Sequence, residues 1–297
     1  MKKYLVTGGA GFIGGHLVNA LTESGNRVVV VDNLSNSSYP TQKNIEFLQA
    51  DVSDKLQKKA IMKAMSDCDG VFHMAALAKV QDSILHPEEY NKNNVDGTLN
   101  ILNWSKEVGV KRVVFSSSSS IYGDTKTFPT DEDEWPNPMS PYALQKLIGE
   151  QYCKIFNYCY GLETVCLRYF NVFGEGQTAD GPYSSVISIF KEQKSKGLHL
   201  TIVGNGNQTR DFVYVGDVAK ANILAMESKE PVVGECINIG SGKETSVNEI
   251  ADLIGGEKTF IEKRLEPSIS LADNTKAKQL LNWEPSTSVQ DWLSKNI

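Results

Sequence analysis

Apolar residues in the first half of the chain come in short runs separated by stretches with helical spacing. Lys2 to Thr7, Arg27 to Val31, Ile45 to Asp51, Gly70 to Ala75 and Val110 to Ser116 read as strands. Helices are expected after the first run, as far as Leu21, and across residues 54–66 and 93–107. Such alternation predicts an α/β fold built on a doubly wound parallel sheet, whose ligands gather at the carboxyl ends of the strands. Asp51, the Ala75-Ala76 pair, Ser116 to Ser118 and Phe170-Asn171 all follow apolar runs, so topology brings them together. Beyond Gly174 the texture changes: residues 174–182 and 204–209 are rich in Gly and polar side chains, as in the loops of a smaller C-terminal α/β lobe. The expected division is 1–170 for the larger lobe and 171–297 for the smaller, with a segment near 211–235 returning to the larger.

The first strand feeds Gly8-Gly9-Ala10-Gly11-Phe12-Ile13-Gly14, which satisfies G-x-G-x-x-G from Gly9 and a wider glycine spacing from Gly8. Glycines there permit a tight turn and let backbone N–H groups at a helix start approach a pyrophosphate. Asp32 ends the second strand 18 residues after Gly14, where its carboxylate can hold a ribose hydroxyl. Strand, glycine turn, helix, strand and acid together read as a Rossmann-type dinucleotide site. Asp32 repels a 2′-phosphate, and Asn33 and Leu34 supply no cation to receive one, so NAD is expected in preference to NADP.

A second constellation lies further on. Tyr142 and Lys146 are four residues apart and share a helical face, close enough for the ammonium to act on the phenol. A free phenol titrates near ~10, so work as a base at neutral pH needs a drop of roughly 3 units, about 4 kcal/mol. Lys146 and an oxidised nicotinamide ring are the available sources of positive charge. Ser140-Pro141 fits an N-cap followed by the first helical position, which starts the helix at the Tyr. The serine run 116–120 follows a strand, where reactive hydroxyls are useful.

Composition narrows the classes. The chain has 297 residues, 40% of them hydrophobic, and a formal net charge of −6. With no basic block, a nucleic-acid partner is disfavoured. Five cysteines, odd in number and without metal spacing, suit reduced thiols in a cytoplasmic protein, and no metal site is expected. No run reaches the ~18 apolar residues of a membrane span, so no membrane partner is expected. His73 reads as a packed or backbone-bonded histidine, Asp131 to Glu134 as a solvated loop, and Trp283 and Trp292 as core.

With the glycine turn, the serine cluster and Tyr142/Lys146 in one order, the chain resembles the extended short-chain dehydrogenase/reductases, particularly the nucleotide-sugar epimerases of the UDP-hexose 4-epimerase type. The likeness extends over nearly the whole chain, through Asp32-Asn33-Leu34, Asp51-Val52, His73-Met74-Ala75-Ala76, Asn94 to Thr98, Leu167 to Val172, Pro182 to Phe190 and Thr209 to Val215. The resemblance implies a hydride shuttle at C4 of a UDP-sugar, with Ser118, Tyr142 and Lys146 as the catalytic set. It implies that Gly8, Gly11, Phe12, Ile13 and Gly14 meet the cofactor, that Asp32 holds its ribose, and that Asp51 and Val52 lie at the adenine. It places Ala75 near the phosphates and ribose and Asn94 beside the nicotinamide end, and assigns Asn33, Asn36, Ser37, Met74, Ala76, Ser116 and Phe170 to further cofactor contacts. On the substrate side it implies Ser118 and Tyr142 at the sugar, Asn171 and Arg210 at the diphosphate, and Val186, Ile202 and Val203 at the uridine. A surface ion pair with Asp211 is the other reading of Arg210.

Lys263, Glu266 and Ser270 belong to a further substrate segment in which this chain departs from the family pattern, with Leu265 and Pro267 altering the loop. Ser270 falls where a bulky Tyr would exclude N-acetyl groups, so UDP-Glc/UDP-Gal and UDP-GlcNAc/UDP-GalNAc are both expected. Ser119 and Ser120 do not titrate near neutrality, which counts against dehydration or decarboxylation. The alternatives are a UDP-hexuronate epimerase, an NAD-linked nucleotide-sugar dehydrogenase or reductase, and a non-catalytic NAD-binding regulator. The resemblance also implies a homodimer through helices near 93–107 and 142–158.

Overall fold

Seven parallel strands form the frame of this computed structural model, which describes residues 1–36, 45–179, 184–230, 232–263 and 267–297. The first half runs β1 (Lys3–Thr7), α1 (Phe12–Glu23), β2 (Arg27–Asp32), β3 (Glu46–Gln49), α2 (Lys58–Met65) and β4 (Gly70–His73), then α3 (Val80–Leu85) and α4 (Pro87–Asn91). A π-helical turn, Lys92–Asp96, leads into α5 (Gly97–Val108), followed by β5 (Arg112–Ser118), α6 (Pro141–Tyr160), β6 (Glu163–Tyr169) and β7 (Asn171–Phe173). The remainder comprises α7 (Val186–Ser195), β8 (Leu200–Val203), β9 (Thr209–Tyr214), α8 (Val215–Glu227), β10 (Cys236–Ile239) and β11 (Glu244–Ser246). It ends with α9 (Val247–Ile254), β12 (Lys258–Ile261), α10 (Thr275–Leu281) and α11 (Val289–Asn296).

Strand order in the large sheet is β10-β6-β5-β4-β1-β2-β3, so the order reverses between β1 and β4 and leaves a crevice at their carboxyl ends. Valine-rich strands such as Arg27–Asp32 are buried from their second residue onward because helices cover both faces. One apolar cluster holds Leu17, Leu21, Ala221, Ala225 and Trp283, and the other holds Ile61, Ile101, Leu102 and Phe156. A third surrounds the smaller sheets with Phe173, Phe190, Ile202, Ile250 and Trp292. Both C-terminal tryptophans are thus core, as expected.

Three features differ from the sequence reading. Helix α8 packs on α1 within the stretch expected to return, but the return runs further than expected: β10, just past that stretch, adds the outermost strand beside β6. The helix expected over 93–107 begins as a π turn, with α5 proper starting at Gly97. The acidic run 131–134 is not simply solvated: Glu132 is partly buried and accepts the Asn238 N–H at 2.7 Å, tying that loop to β10.

His73 is fully enclosed and bonds to threonine hydroxyls instead of backbone: Nδ1 lies 2.8 Å from Thr7 Oγ1 and Nε2 lies 3.0 Å from Thr98 Oγ1. Burial, assisted by the Lys146 charge, drives its pKa down to about 3. The folded state therefore holds His73 neutral while the unfolded chain takes up a proton below about 6.5. Its contribution to stability is present above that pH and is lost as pH falls toward 3, at about 1.4 kcal/mol per pH unit. Urea unfolding between pH 6.5 and 4 should show that one-proton slope, and His73→Gln should remove it.

Candidate active site

The crevice is shaped first by backbone. Gly11 caps α1 without a side-chain hydrogen bond, so the amides of the first helical turn meet no capping side chain and can face an anion. A Cβ on Gly14 would stand 2.1 Å from the Gly8 carbonyl oxygen, and one on Gly8, whose φ is +69°, would stand 2.7 Å from Ala75 N. The turn is therefore as close to its neighbours as a backbone can come. Asp32 closes the other side, with Oδ2 accepting Ala10 N–H at 3.0 Å and Oδ1 accepting Leu34 N–H at 2.8 Å. Asp51 accepts the N–H and hydroxyl of Ser53, which hold its carboxyl below its ordinary pKa despite the burial that opposes them.

Gly8, Gly11, Asp32, Asn33, Asn36, Asp51, Val52, Ala75 and Ala76 all line this one cleft. The structure adds Val31, Ser35, Ala50, Leu77 and Asn93, each adjacent to a residue already singled out, so neighbourhood alone could have found them. Met74 and Phe12 are instead buried, with Phe12 edge-on to His16 and Ile13 packed on the same core as α1. Asn94 is buried on the π turn, where its amide donates to Leu77 O at 3.0 Å and Gln145 Oε1 at 2.9 Å; it fastens the β4 loop to α6. Ser37 lies outside the described residues.

Above the crevice, Ser140 and Pro141 start α6 as expected. The Ser140 hydroxyl accepts Ala143 N–H, and Pro141 is the first helical residue. Tyr142 and Lys146 are buried on this helix, and Ser118, at the end of β5, lies near enough to act on the Tyr142 phenol while its Oγ accepts Ser120 N–H at 3.2 Å. Lys146 Nζ donates to the Ser116 carbonyl at 2.7 Å and sits 5.9 Å from the Tyr142 ring centre. Ser116 uses its own hydroxyl on Tyr169, so its part is to anchor Lys146 through its carbonyl. Ser120 Oγ, two residues beyond Ser118, is buried without a hydrogen-bond partner.

Burial raises the Tyr142 phenol, an effect that nearby Ser118 partly offsets. Burial also lowers Lys146 to about 8, with Cys153 and Glu150 pulling it back up. The expectation of a depressed tyrosine pKa thus meets an opposing desolvation that positive charge has to outweigh.

Substrate candidates collect around β9. Asn171 donates to Asp211 O at 3.1 Å. Ser270 pairs with β9 through its N–H to Thr209 O and its carbonyl to Asp211 N. Asp211 is buried and turned away from Arg210: its carboxylate accepts Ser241 N–H and Oγ–H, Gly242 N–H and Ala272 N–H. Arg210 donates to Thr209 O. Val186 opens α7, and Phe170 packs with Ile121, Tyr122 and Ala272. Ile202 corrects the sequence reading. Strand alternation turns it with Leu200 into the core of the smaller lobe, so Val203 and not Ile202 can offer its side chain to a ligand. Lys263 is exposed, its stem beside Gly204, and Glu266 lies outside the described residues. Among the described residues no group of acidic, His or Cys side chains could hold a metal, and no helix is long and apolar enough to cross a membrane.

Fold and crevice define a Rossmann-type dinucleotide-binding protein of the extended short-chain dehydrogenase/reductase class. The chain belongs to the NAD dependent epimerase/dehydratase family, whose sequence model matches residues 4–240, and its cofactor is NAD. The glycine cradle and Asp32 fit that cofactor. A UDP-glucose 4-epimerase from Thermotoga maritima, solved with UDP-glucose, superposes with a TM-score of 0.92 at 40% identity, covering 98% of this chain and 96% of that one. A UDP-N-acetylglucosamine 4-epimerase from Methanobrevibacter ruminantium, in complex with UDP-N-acetylmuramic acid, gives 0.90 at 38% over the same shares. A UDP-glucuronate 4-epimerase from Thermodesulfobacterium geofontis is 35% identical across 100% of this chain and 95% of its own length. Asp32→Asn removes a negative charge from the cleft; NAD affinity, measured by calorimetry, should fall by about 1.5–3 kcal/mol with the fold intact.

Proposed function

We propose that this protein interconverts UDP-hexoses at C4, acting on both UDP-Glc/UDP-Gal and UDP-GlcNAc/UDP-GalNAc. The observation that carries the reading is Tyr142 and Lys146 buried one turn apart on α6, with partly buried Ser118 beside the phenol. Bound NAD supplies reversible hydride acceptance at the sugar's C4. Tyr142, as phenolate, takes the proton of the 4-hydroxyl and later returns it, while Ser118 donates a hydrogen bond to the same oxygen. Lys146 stabilises the phenolate and, near neutrality, is charged because its pKa of about 8 lies above the working pH. The enclosure that raises the phenol also keeps water away from the 4-keto sugar.

Residues 171–297 are read as the main UDP-sugar-binding part and 1–170 as the NAD-binding part. Arg210 and Asn171 suit the diphosphate, since a guanidinium matches phosphate geometry. A small Ser270 leaves room for an N-acetyl group and for the hexose to present its second face. Ser119 and Ser120 supply neither acid nor base, so the chemistry stops at inversion. A UDP-hexuronate epimerase is the second reading, favoured by Ser120 Oγ, whose unsatisfied hydroxyl could meet a carboxylate at C6. Exposed Leu144, Ile155 and Tyr158 on α6 support a homodimer, which sedimentation of the purified chain would test. Five free cysteines suit a cytoplasmic setting, testable by fractionation.

UDP-glucose and UDP-GlcNAc, each incubated with the protein without reductant, should yield their 4-epimers with no accumulation of NADH. Steady NADH release would instead indicate a dehydrogenase, and turnover of UDP-glucuronate alone the second reading. Tyr142→Phe should lower kcat by about 10²–10⁴-fold while NAD stays bound. Ser270→Tyr should abolish turnover of the N-acetylated pair and spare UDP-glucose; equal loss of both would sink the gatekeeper role.

A further inference from the structure

Glu150 lies one helical turn beyond Lys146 and two beyond Tyr142, so α6 presents all three on the face that meets the sheet. The Glu150 side chain is 1% exposed and that of Arg168, on β6, is 6% exposed. Glu150 accepts the Ser117 hydroxyl at 2.5 Å, and its two oxygens take Arg168 Nε at 2.9 Å and Nη2 at 2.8 Å. Arg168 Nη1 continues to the Tyr122 hydroxyl at 2.8 Å and the Glu132 carbonyl at 3.3 Å, and Tyr122 donates to Asn238 Oδ1 at 2.7 Å. Burial alone would lower the Arg168 pKa, but the bonds and charge of Glu150 hold it above its ordinary value.

Ser117 immediately precedes Ser118, and Tyr122 ends the short turn that follows it. One ion pair therefore grips the Ser118 segment at both ends while its carboxylate rides on the helix that carries Tyr142 and Lys146. Stability is a poor reason for such a pair, because apolar residues of equal volume commonly do as well. The titratable groups around Glu150 are Lys146 from α6, Arg168 and Cys166 from β6 and Cys236 from β10, with Cys153 acting on Lys146 and Cys166, and Tyr122 bonded to Arg168. We propose that Glu150 and Arg168 are a positioning pair: they fix the Ser118 segment against the helix of Tyr142 and Lys146 and supply the carboxylate that compensates the Lys146 ammonium.

The inference rests on the reading of Tyr142 and Lys146 as the proton-transfer pair, and its test separates the two. The pH profile of kcat for UDP-glucose epimerisation is measured on NAD-loaded protein for the parent, Ser117→Ala, Glu150→Gln and Tyr142→Phe, with KM, NAD content and melting temperature in parallel. Glu150→Gln removes the compensating charge, so Lys146 loses its proton earlier and the alkaline limb should move down by about one pH unit. Ser117→Ala keeps the charge and loosens only the grip; kcat should fall about three- to tenfold with KM, NAD content and the alkaline limb unmoved. A parent-like kcat in Ser117→Ala together with an unmoved limb in Glu150→Gln, while Tyr142→Phe is inactive, overturns this inference alone and leaves the pair a scaffold. Should Glu150→Gln not fold, a parent-like kcat in Ser117→Ala is decisive against it. Undiminished turnover by Tyr142→Phe overturns both readings.

Discussion

The distance between α6 and β5 governs what the candidate site can do. Gly149 faces Phe115, and a Cβ there would stand 2.4 Å from the ring, so the helix lies against the strand as closely as backbone allows. That closeness lets the Lys146 ammonium reach the Ser116 carbonyl and lie 5.0 Å from the centre of the Phe115 ring. It also brings a hydroxyl from a strand end to one from a helix start. The same contact creates the electrostatic difficulty of the site, because two groups whose work depends on charge are both buried by it. Lys146 meets the difficulty through a carbonyl, a ring face and the Glu150 carboxylate; Tyr142, among the described residues, has Ser118 and the Lys146 charge 5.9 Å from its ring centre.

Polar groups fasten the chain segments that converge on β9 and β10. Asp211 gathers amides from the segments at 241–242 and at 272, while Asn238 Nδ2 donates to the carbonyls of Thr130 and Asp273. Ser270 therefore sits in a strip of chain fixed at β9 and again at Thr130. Burial raises the Asp211 pKa, and the four hydrogen bonds it accepts pull it back. An ionised carboxylate in that position is the natural acceptor for three amides and a hydroxyl.

Local chemistry made much of this legible from sequence. The glycine turn, the strand ending at Asp32 and the Ser140-Pro141 helix start depend on residues within a few positions of one another; the first two line one cleft and the third starts α6. What stayed hidden is long-range. Glu150 and Arg168 are 18 residues apart on different elements, and nothing in either neighbourhood points to the other. Asp211 looked like a partner for adjacent Arg210, but strand alternation sends the two side chains to opposite faces. The same alternation turned Ile202 into the core around the smaller sheets, and Glu132 left solvent because β10 arrives beside it from a hundred residues further on.

That late arrival matters for how the protein is made. Strand β10 covers the open edge of β6, with Ile237 and Ile239 buried in the same cluster as Val165 and Leu167. Synthesis proceeds from the N-terminus, so β6 leaves the ribosome about seventy residues before the strand that covers it, and its exposed edge is a template for pairing with other chains in the interval. The segment made meanwhile includes β7, α7, β8, β9 and α8, all of which lie between β6 and the strand that completes the sheet. Neither lobe is finished as a unit when its first residues have been read; a nascent chain stalled before residue 236 would carry the glycine turn, Tyr142 and Arg210, and still present a raw sheet edge to its neighbours.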